Sequence, residues 1–302
     1  MTDYGHDLLF GTFTTPTVQP VRQAVDLAVV ADRAGLDLVT FQDHPYQPRF
    51  HDTWTLLSYV AARTERVHLS ANVLNLPLRL PAVTARSAAS LDLLSGGRFE
   101  LGLGAGAFWD AIEAMGGRRL SPGQAITALE EAIQIIREVW AADKPGGVRV
   151  DGEYYRADGA KRGPAPAHDV NVWVGAYKPR MLRLVGRMAD GWLPSLPYLQ
   201  GGPADLVAMN ERIDEAAAAA GREPTRIRRL LNISGEFAST GRSLLNGPPE
   251  QWAEDLAGLT LEYGVSAFIL MADDPATIEI FAAEVAPATR QLVAEERARA
   301  AR

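Results

Sequence analysis

The sequence predicts an α/β protein of the (βα)8 TIM-barrel class, a single domain over residues 1–302. Short β-rich runs alternate with longer helical patterns from end to end, which signals βα units and a parallel sheet. The count is eight of each, the arithmetic of a closed barrel. Most strand candidates are apolar throughout instead of alternating, as expected of parallel strands covered on both faces. Periodicity alone leaves an open doubly wound sheet as the alternative.

The strand candidates are residues 8–13, 36–42, 67–74, 98–104, 170–176, 191–196, 227–237 and 266–272. The first helical pattern, PVRQAVDLAVVADRAG, places Val21, Ala24, Val25, Ala28, Val29 and Ala31 at helical spacing, with Gly35 where a C-cap belongs. TWTLLSYVAARTE and PAVTARSAASLDLLSG follow the second and third strands, ITALEEAIQIIREVWAAD the fourth, and KPRMLRLVGRMA the fifth. PADLVAMNERIDEAAAAAG, PPEQWAEDLAGLTLEYG and DPATIEIFAAEVAPATRQLVAEERARA complete the series, several opening on proline, whose missing N–H does no harm there. One interruption, residues 144–169, is rich in Gly and Pro with two short alternating runs; it reads as a hairpin and loop inserted between the fourth helix and the fifth strand.

Composition narrows the function. A formal charge of −7 argues against a nucleic-acid partner, which calls for a basic stripe. The absence of cysteine removes disulfides, thiolate metal sites and cysteine nucleophiles. The opening MTDYGHDLLFG lacks a signal-peptide pattern, and no apolar run suffices to cross a bilayer. A cytoplasmic enzyme acting on a small molecule, with neither nucleic acid nor membrane as partner, is the expectation.

GRFELGLGAGAFWDAIEAMG contains Gly102, Gly104 and Ala107 in the G-x-G-x-x-G/A spacing of a dinucleotide loop. That motif belongs on the first strand of its own unit, with an acidic residue ending the next strand about 20 residues on. Here the stretch is the fourth strand, and Glu130 and Glu131 fall in a helical pattern. The Rossmann reading fails on context.

In a parallel barrel, chemistry gathers at the carboxyl ends of the strands. FQDHP puts Gln42, Asp43 and His44 at the second end, either as acid/base groups or as caps of the turn. Asn72 and Asn75 interrupt the third strand, with turn formation as the simpler explanation. At the fourth end, Gly104, Ala105 and Gly106 let backbone approach a flat ligand, and Phe108 and Trp109 offer walls, unless Phe108 packs into the core of a short helix. At the fifth, Gly175, Ala176, Tyr177 and Lys178 lead into a helix N-terminus suited to an anion. Arg180, Arg183 and Arg187 continue along one helical face, as part of that site or as a solvated surface. His6, His51, His68 and His168 show no metal-ligand spacing, so no metal is expected.

Taken together, DLVTFQDHP, NVLNLPLRLPAVTARSAASLDLLSGGRFELGLGAGAFWDAIEAMGG and VWVGAYKPRMLRLVGRMADGW resemble the luciferase-like monooxygenase superfamily over roughly residues 8–272. The resemblance implies a bacterial-luciferase-like barrel that binds a dissociable flavin or deazaflavin. It implies His44 as proton donor or acceptor, Asp43 at the ring edge, and a non-prolyl cis bulge at Asn72–Val73 behind the ring. It also implies a phosphate loop at Gly175, Ala176, Tyr177 and Lys178. Coenzyme F420 and hydride transfer are the expectation, because the His after Asp43 and the basic helix suit an anionic phosphate and polyglutamate tail. The alternatives are an FMN monooxygenase fed by a separate reductase and, more distantly, a non-catalytic flavin binder. The deazaflavin branch's sugar-phosphate dehydrogenases carry a glutamate soon after the fourth-strand glycines, where this chain reads Gly106, Ala107, Phe108; a hydrophobic or aromatic substrate is therefore expected. Relatives commonly dimerise through barrel helices, so a homodimer is expected as well.

Overall fold

The structure, a computed structural model, describes residues 2–302. Eight parallel strands form the barrel: β1 (Leu9–Thr14), β2 (Leu38–Phe41), β3 (His68–Ala71), β4 (Phe99–Gly104), β5 (Val172–Val174), β6 (Gly191–Trp192), β7 (Arg228–Ile233) and β8 (Ala267–Met271). Each pairs with the next in chain order, and β8 returns to β1 with Ala267 opposite Leu9. The ring is closed, which decides between the two architectures that periodicity allows.

Around it run α1 (Gln23–Ala34), α2 (Thr53–Ala61), α3 (Pro81–Ser95), α4 (Trp109–Ala114), α5 (Pro122–Trp140), α6 (Pro179–Met188), α7 (Asp205–Ala219), α8 (Pro249–Tyr263), α9 (Pro275–Ile280) and α10 (Ala286–Ala300). Gly35 closes α1 at φ +94°, a left-handed conformation that glycine adopts without steric cost. A capping box of Ser121 and Gln124 starts α5 four residues before its apolar pattern does. A π-helical turn at Phe281–Val285 joins α9 to α10, so the last helical pattern is one continuous rod.

Strand alternation sorts the apolar residues into two cores. Leu38, Trp173, Leu193, Leu230, Ala267 and Ile269 fill the barrel interior. Their neighbours Val39, Val172, Val174, Phe268 and Leu270 point outward into the larger cluster shared with the helices. Within the insertion, Val148–Asp151 and Arg156–Ala160 form an antiparallel hairpin. The Glu131 carboxylate of α5 accepts hydrogen bonds from the N–H groups of Glu153, Tyr154 and Tyr155 and so fixes the hairpin to the barrel wall.

Two strand expectations need correction. The run at 191–196 pairs regularly only at Gly191–Trp192, after which Ser195 makes a single bridge to Asn232. The run at 227–237 divides: β7 stops at Ile233, and Glu236–Phe237 pairs with Asn246–Gly247 instead. Between them the backbone at Gly235 lies so close to Leu245 that any Cβ would collide with its carbonyl oxygen.

Candidate active site

At the carboxyl end of the barrel lies a cleft of about 820 Å³. The strand-end residues expected from sequence line it, namely Asp43, His44, Asn72, Val73, Gly104, Ala105, Gly106, Phe108, Trp109, Gly175, Ala176, Tyr177 and Lys178, whereas Arg180, Arg183 and Arg187 do not. The lining adds groups that sequence reasoning did not single out as site residues, notably Tyr46, Ser195, Tyr198 and Asn232. Asn232 lies within β7 and the others follow strands, none as part of a motif, and only the closed ring brings them to one place.

The segment after β2 divides its two titratable residues. Asp43 is 1% exposed. Its carboxylate accepts from Arg79 Nε at 2.8 Å, from Arg79 Nη2 at 2.7 Å and from the Asn75 N–H at 2.8 Å. This two-toothed, charge-assisted pairing engages both carboxylate oxygens. His44 is half-buried and open to the cleft. Its ring stacks on Tyr46 at a centroid distance of 5.3 Å and meets Phe108 edge-on at 5.3 Å. Burial lowers its pKa below the usual imidazole value, against the opposite pull of the Asp43 carboxylate. A neutral imidazole at neutral pH can accept a proton.

Behind His44 the third strand breaks at a cis Asn72–Val73 peptide bond and resumes at Leu74–Asn75, which pairs with the end of β4. Val73 sits between two glycines: a Cβ on Gly104 would lie 2.6 Å from its Cγ2, whereas one on Gly175 would have 3.8 Å of clearance. Asn72 Nδ2 donates to Asn232 Oδ1 at 2.7 Å, and Asn232 Nδ2 donates to Ser195 Oγ at 3.0 Å, which ties β3, β6 and β7 together beneath the cleft. Asn75, also on the lining, keeps its buried Oδ1 without a hydrogen-bond partner. A buried acceptor left unpaired is costly, and a ligand N–H or O–H would satisfy it.

At the fourth end Gly106 adopts φ +95°, and a Cβ there would press against Pro77 and Trp109 at 2.7 and 2.9 Å. Phe108 is 57% exposed at the cleft mouth, so it is a wall and not core packing. At the fifth end no side chain caps the N-terminus of α6. The Ser195 N–H donates to the Tyr177 hydroxyl at 2.8 Å, leaving the phenolic proton free to donate in turn, and Lys178 is exposed beside it. Farther along α6, Arg187 pairs with Glu130 of α5, so the basic face is partly neutralised.

The sequence profile of the luciferase-like monooxygenases matches residues 6–240. The chain is 33% identical over 223 residues to an F420-dependent glucose-6-phosphate dehydrogenase of Nocardia farcinica (strain IFM 10152), covering 70% of this chain and 64% of that protein. It is 34% identical over 220 residues to a 5,10-methylenetetrahydromethanopterin reductase of Methanolobus tindarius, covering 73% and 63%. The match thus spans somewhat less than two thirds of each relative. An F420-dependent secondary alcohol dehydrogenase in complex with an F420-acetone adduct shares the fold, with a TM-score of 0.79 at 20% identity over 94% of this chain and 99% of the other.

Proposed function

The chain belongs to the luciferase-like monooxygenase family, and from that premise we propose that it is an oxidoreductase that uses coenzyme F420 to move hydride to or from a small organic substrate. The observation that carries this reading is the meeting, in one cleft, of a neutral half-buried histidine, a glycine-lined floor and an uncapped helix N-terminus flanked by a lysine. Gly104 lets the end of β4 pack against Val73, where a Cβ would come within 2.6 Å of Cγ2, and so keeps the Asn72–Val73 bulge flush with the floor of the cleft on which a flat ring system would lie. The unpaired Asn75 Oδ1 accepts a donor from the ring edge or the substrate. Tyr177, Lys178 and the first free N–H groups of α6 hold the cofactor phosphate, where the helix dipole and the ammonium both favour negative charge.

When bound, F420 supplies the hydride acceptor or donor carbon, and the protein supplies position and electrostatics. His44 takes the hydroxyl proton as an alcohol carbon loses hydride, and returns it in the reverse direction. Asp43 acts through position: held by Arg79 and Asn75, it fixes the turn that presents His44.

The substrate is apolar or aromatic. Phe13, Tyr46, Phe108, Tyr198 and Met271 line the cleft, and the one lysine or arginine on its lining is Lys178, already assigned to the cofactor. A sugar phosphate would need a second cation, so turnover of glucose 6-phosphate would overturn this part of the reading.

Titration of the purified protein with F420 and, separately, with FMN, followed by cofactor fluorescence, tests the proposal. Binding of F420 in preference is expected. Preference for FMN with oxygen-dependent reoxidation would make the protein a monooxygenase served by a partner reductase, and binding of neither would refute the reading. No helix of the described residues is long and apolar enough to cross a membrane; a cytoplasmic location fits a chain without cysteine. A homodimer fits the groove between α2 and α3, which Trp54, Val83, Leu91 and Leu94 line.

A further inference from the structure

At the amino end of the barrel, away from the cleft, the fold brings together three side chains that are far apart in sequence. His68 opens β3, Glu100 lies one residue into β4, and His168 sits in the segment leading to β5. One ligand atom from each lies within 4.8 Å of the others. Histidine spacing in the sequence gives no sign of this grouping, because its members come from three separate βα units.

We infer that His68, Glu100 and His168 form a binding site for one borderline divalent transition-metal ion, with Zn²⁺ as its best match. Zinc–nitrogen and zinc–oxygen bonds of about 2.0–2.2 Å at tetrahedral angles hold ligand atoms about 3.4 Å apart. In the protein Glu100 Oε1 stands 3.4 Å from His168 Nε2 and 3.7 Å from His68 Nδ1. The spacing suits an ion and needs little movement to receive one. Two imidazoles and one carboxylate select zinc and its neighbours over magnesium or calcium, which prefer oxygen, and leave a fourth position for water.

The supporting shell points the same way. Asp92, fully buried, receives His168 Nδ1 at 2.9 Å and also the backbone N–H groups of Phe99, Ala167 and His168. A carboxylate behind one ring nitrogen turns the other toward the metal, the usual support of a zinc-bound histidine. Glu100 is held in turn: its Oε2 accepts from the Asn171 N–H at 2.8 Å and from Asn171 Nδ2 at 3.1 Å, which leaves Oε1 for the ion. Zinc would tie β3, β4 and the entry to β5 together.

The test is equilibrium dialysis of metal-stripped protein against ZnCl₂ at pH 8, with bound zinc counted. One equivalent per chain is expected, with a rise in melting temperature. His68→Ala and the His68→Ala/His168→Gln pair should lose more affinity than the roughly 10–100-fold that removal of a mere supporting group costs. His51→Ala, a histidine elsewhere, should keep the full equivalent. His68 has a 43% exposed side chain, so His68→Ala should fold, as circular dichroism without metal will check. No stoichiometric zinc on the wild type, or a full equivalent retained by the double variant, would overturn the inference and leave the cluster as a proton-bridged ion pair.

Discussion

His44 and Asp43 are adjacent in the chain and opposite in circumstance, and burial with pairing is what separates them. Asp43 has both oxygens paired with Arg79 and Asn75, while His44 keeps its ring toward the cleft. His44→Ala should therefore lower turnover by roughly 10²–10⁴-fold, the usual worth of a positioned proton-transfer group, with F420 affinity little changed. Equal losses in both would instead make His44 a binding residue. Because burial depresses its pKa, the acid limb of kcat/KM for substrate oxidation should fall below pH 6.5, the ordinary imidazole value. A limb above that value would assign the proton transfer to another group. Removing the partner of Asp43 has a different signature: Arg79→Met strands a buried carboxylate and should cost about 3–5 kcal/mol in denaturant unfolding. A loss below ~1 kcal/mol would mean that Asp43 finds water or another donor. The FQDHP motif made both residues visible in the sequence. Their division of labour was not, because it depends on an arginine brought back by the next βα unit.

Elements were legible where a local rule writes them. The helices announce themselves through apolar spacing, Gly35 and N-terminal prolines, and all eight patterns have counterparts in the fold. What the sequence hid is non-local. The bend at Gly235 depends on Leu245, and the role of Glu131 depends on a hairpin more than 20 residues away in sequence. The short α4 falls in a stretch whose glycines dominate the pattern. For the proposed function, the element to test is α6, whose amino end lacks a side-chain cap and carries exposed Lys178. If that end holds the F420 phosphate, Lys178→Ala should weaken F420 by roughly 2–10-fold, the range of a partly exposed charge beside a helix dipole. The same change should leave binding of the phosphate-free chromophore unaltered, and added salt should narrow the difference. Equal weakening of both ligands would move Lys178 to the ring or the substrate.

At the scale of the molecule, counting eight strands suggested closure, but only the pairing of β8 with β1 establishes it. Closure also assigns different work to the two ends of the barrel. The carboxyl end leaves Asn75 Oδ1 unsatisfied on the cleft lining, as a binding site requires, whereas the amino end is held mainly by internal ion pairs. There Arg229, 1% exposed, reaches Asp214 and Tyr4, and Arg297 pairs with Asp3. His6 is set among these cations, with its Nε2 buried and unpartnered. Burial first, and then Arg228 and Arg229, push its pKa down to about 4. In the unfolded chain the same ring protonates near the ordinary value of about 6.5. Between these values the unfolded state binds a proton that the native state refuses, so the share of stability that His6 governs is fully present above pH 6.5 and declines as pH falls toward 4. His44, depressed in the same direction, adds to that slope. Wild type should thus lose melting temperature steadily across this window, before most carboxylates titrate. His6→Gln, which cannot take up the proton, should show a shallower decline over the same range. If the two curves run parallel, His6 is not the group that limits acid stability, and the loss belongs to His44 or to the carboxylate pairs of the amino end.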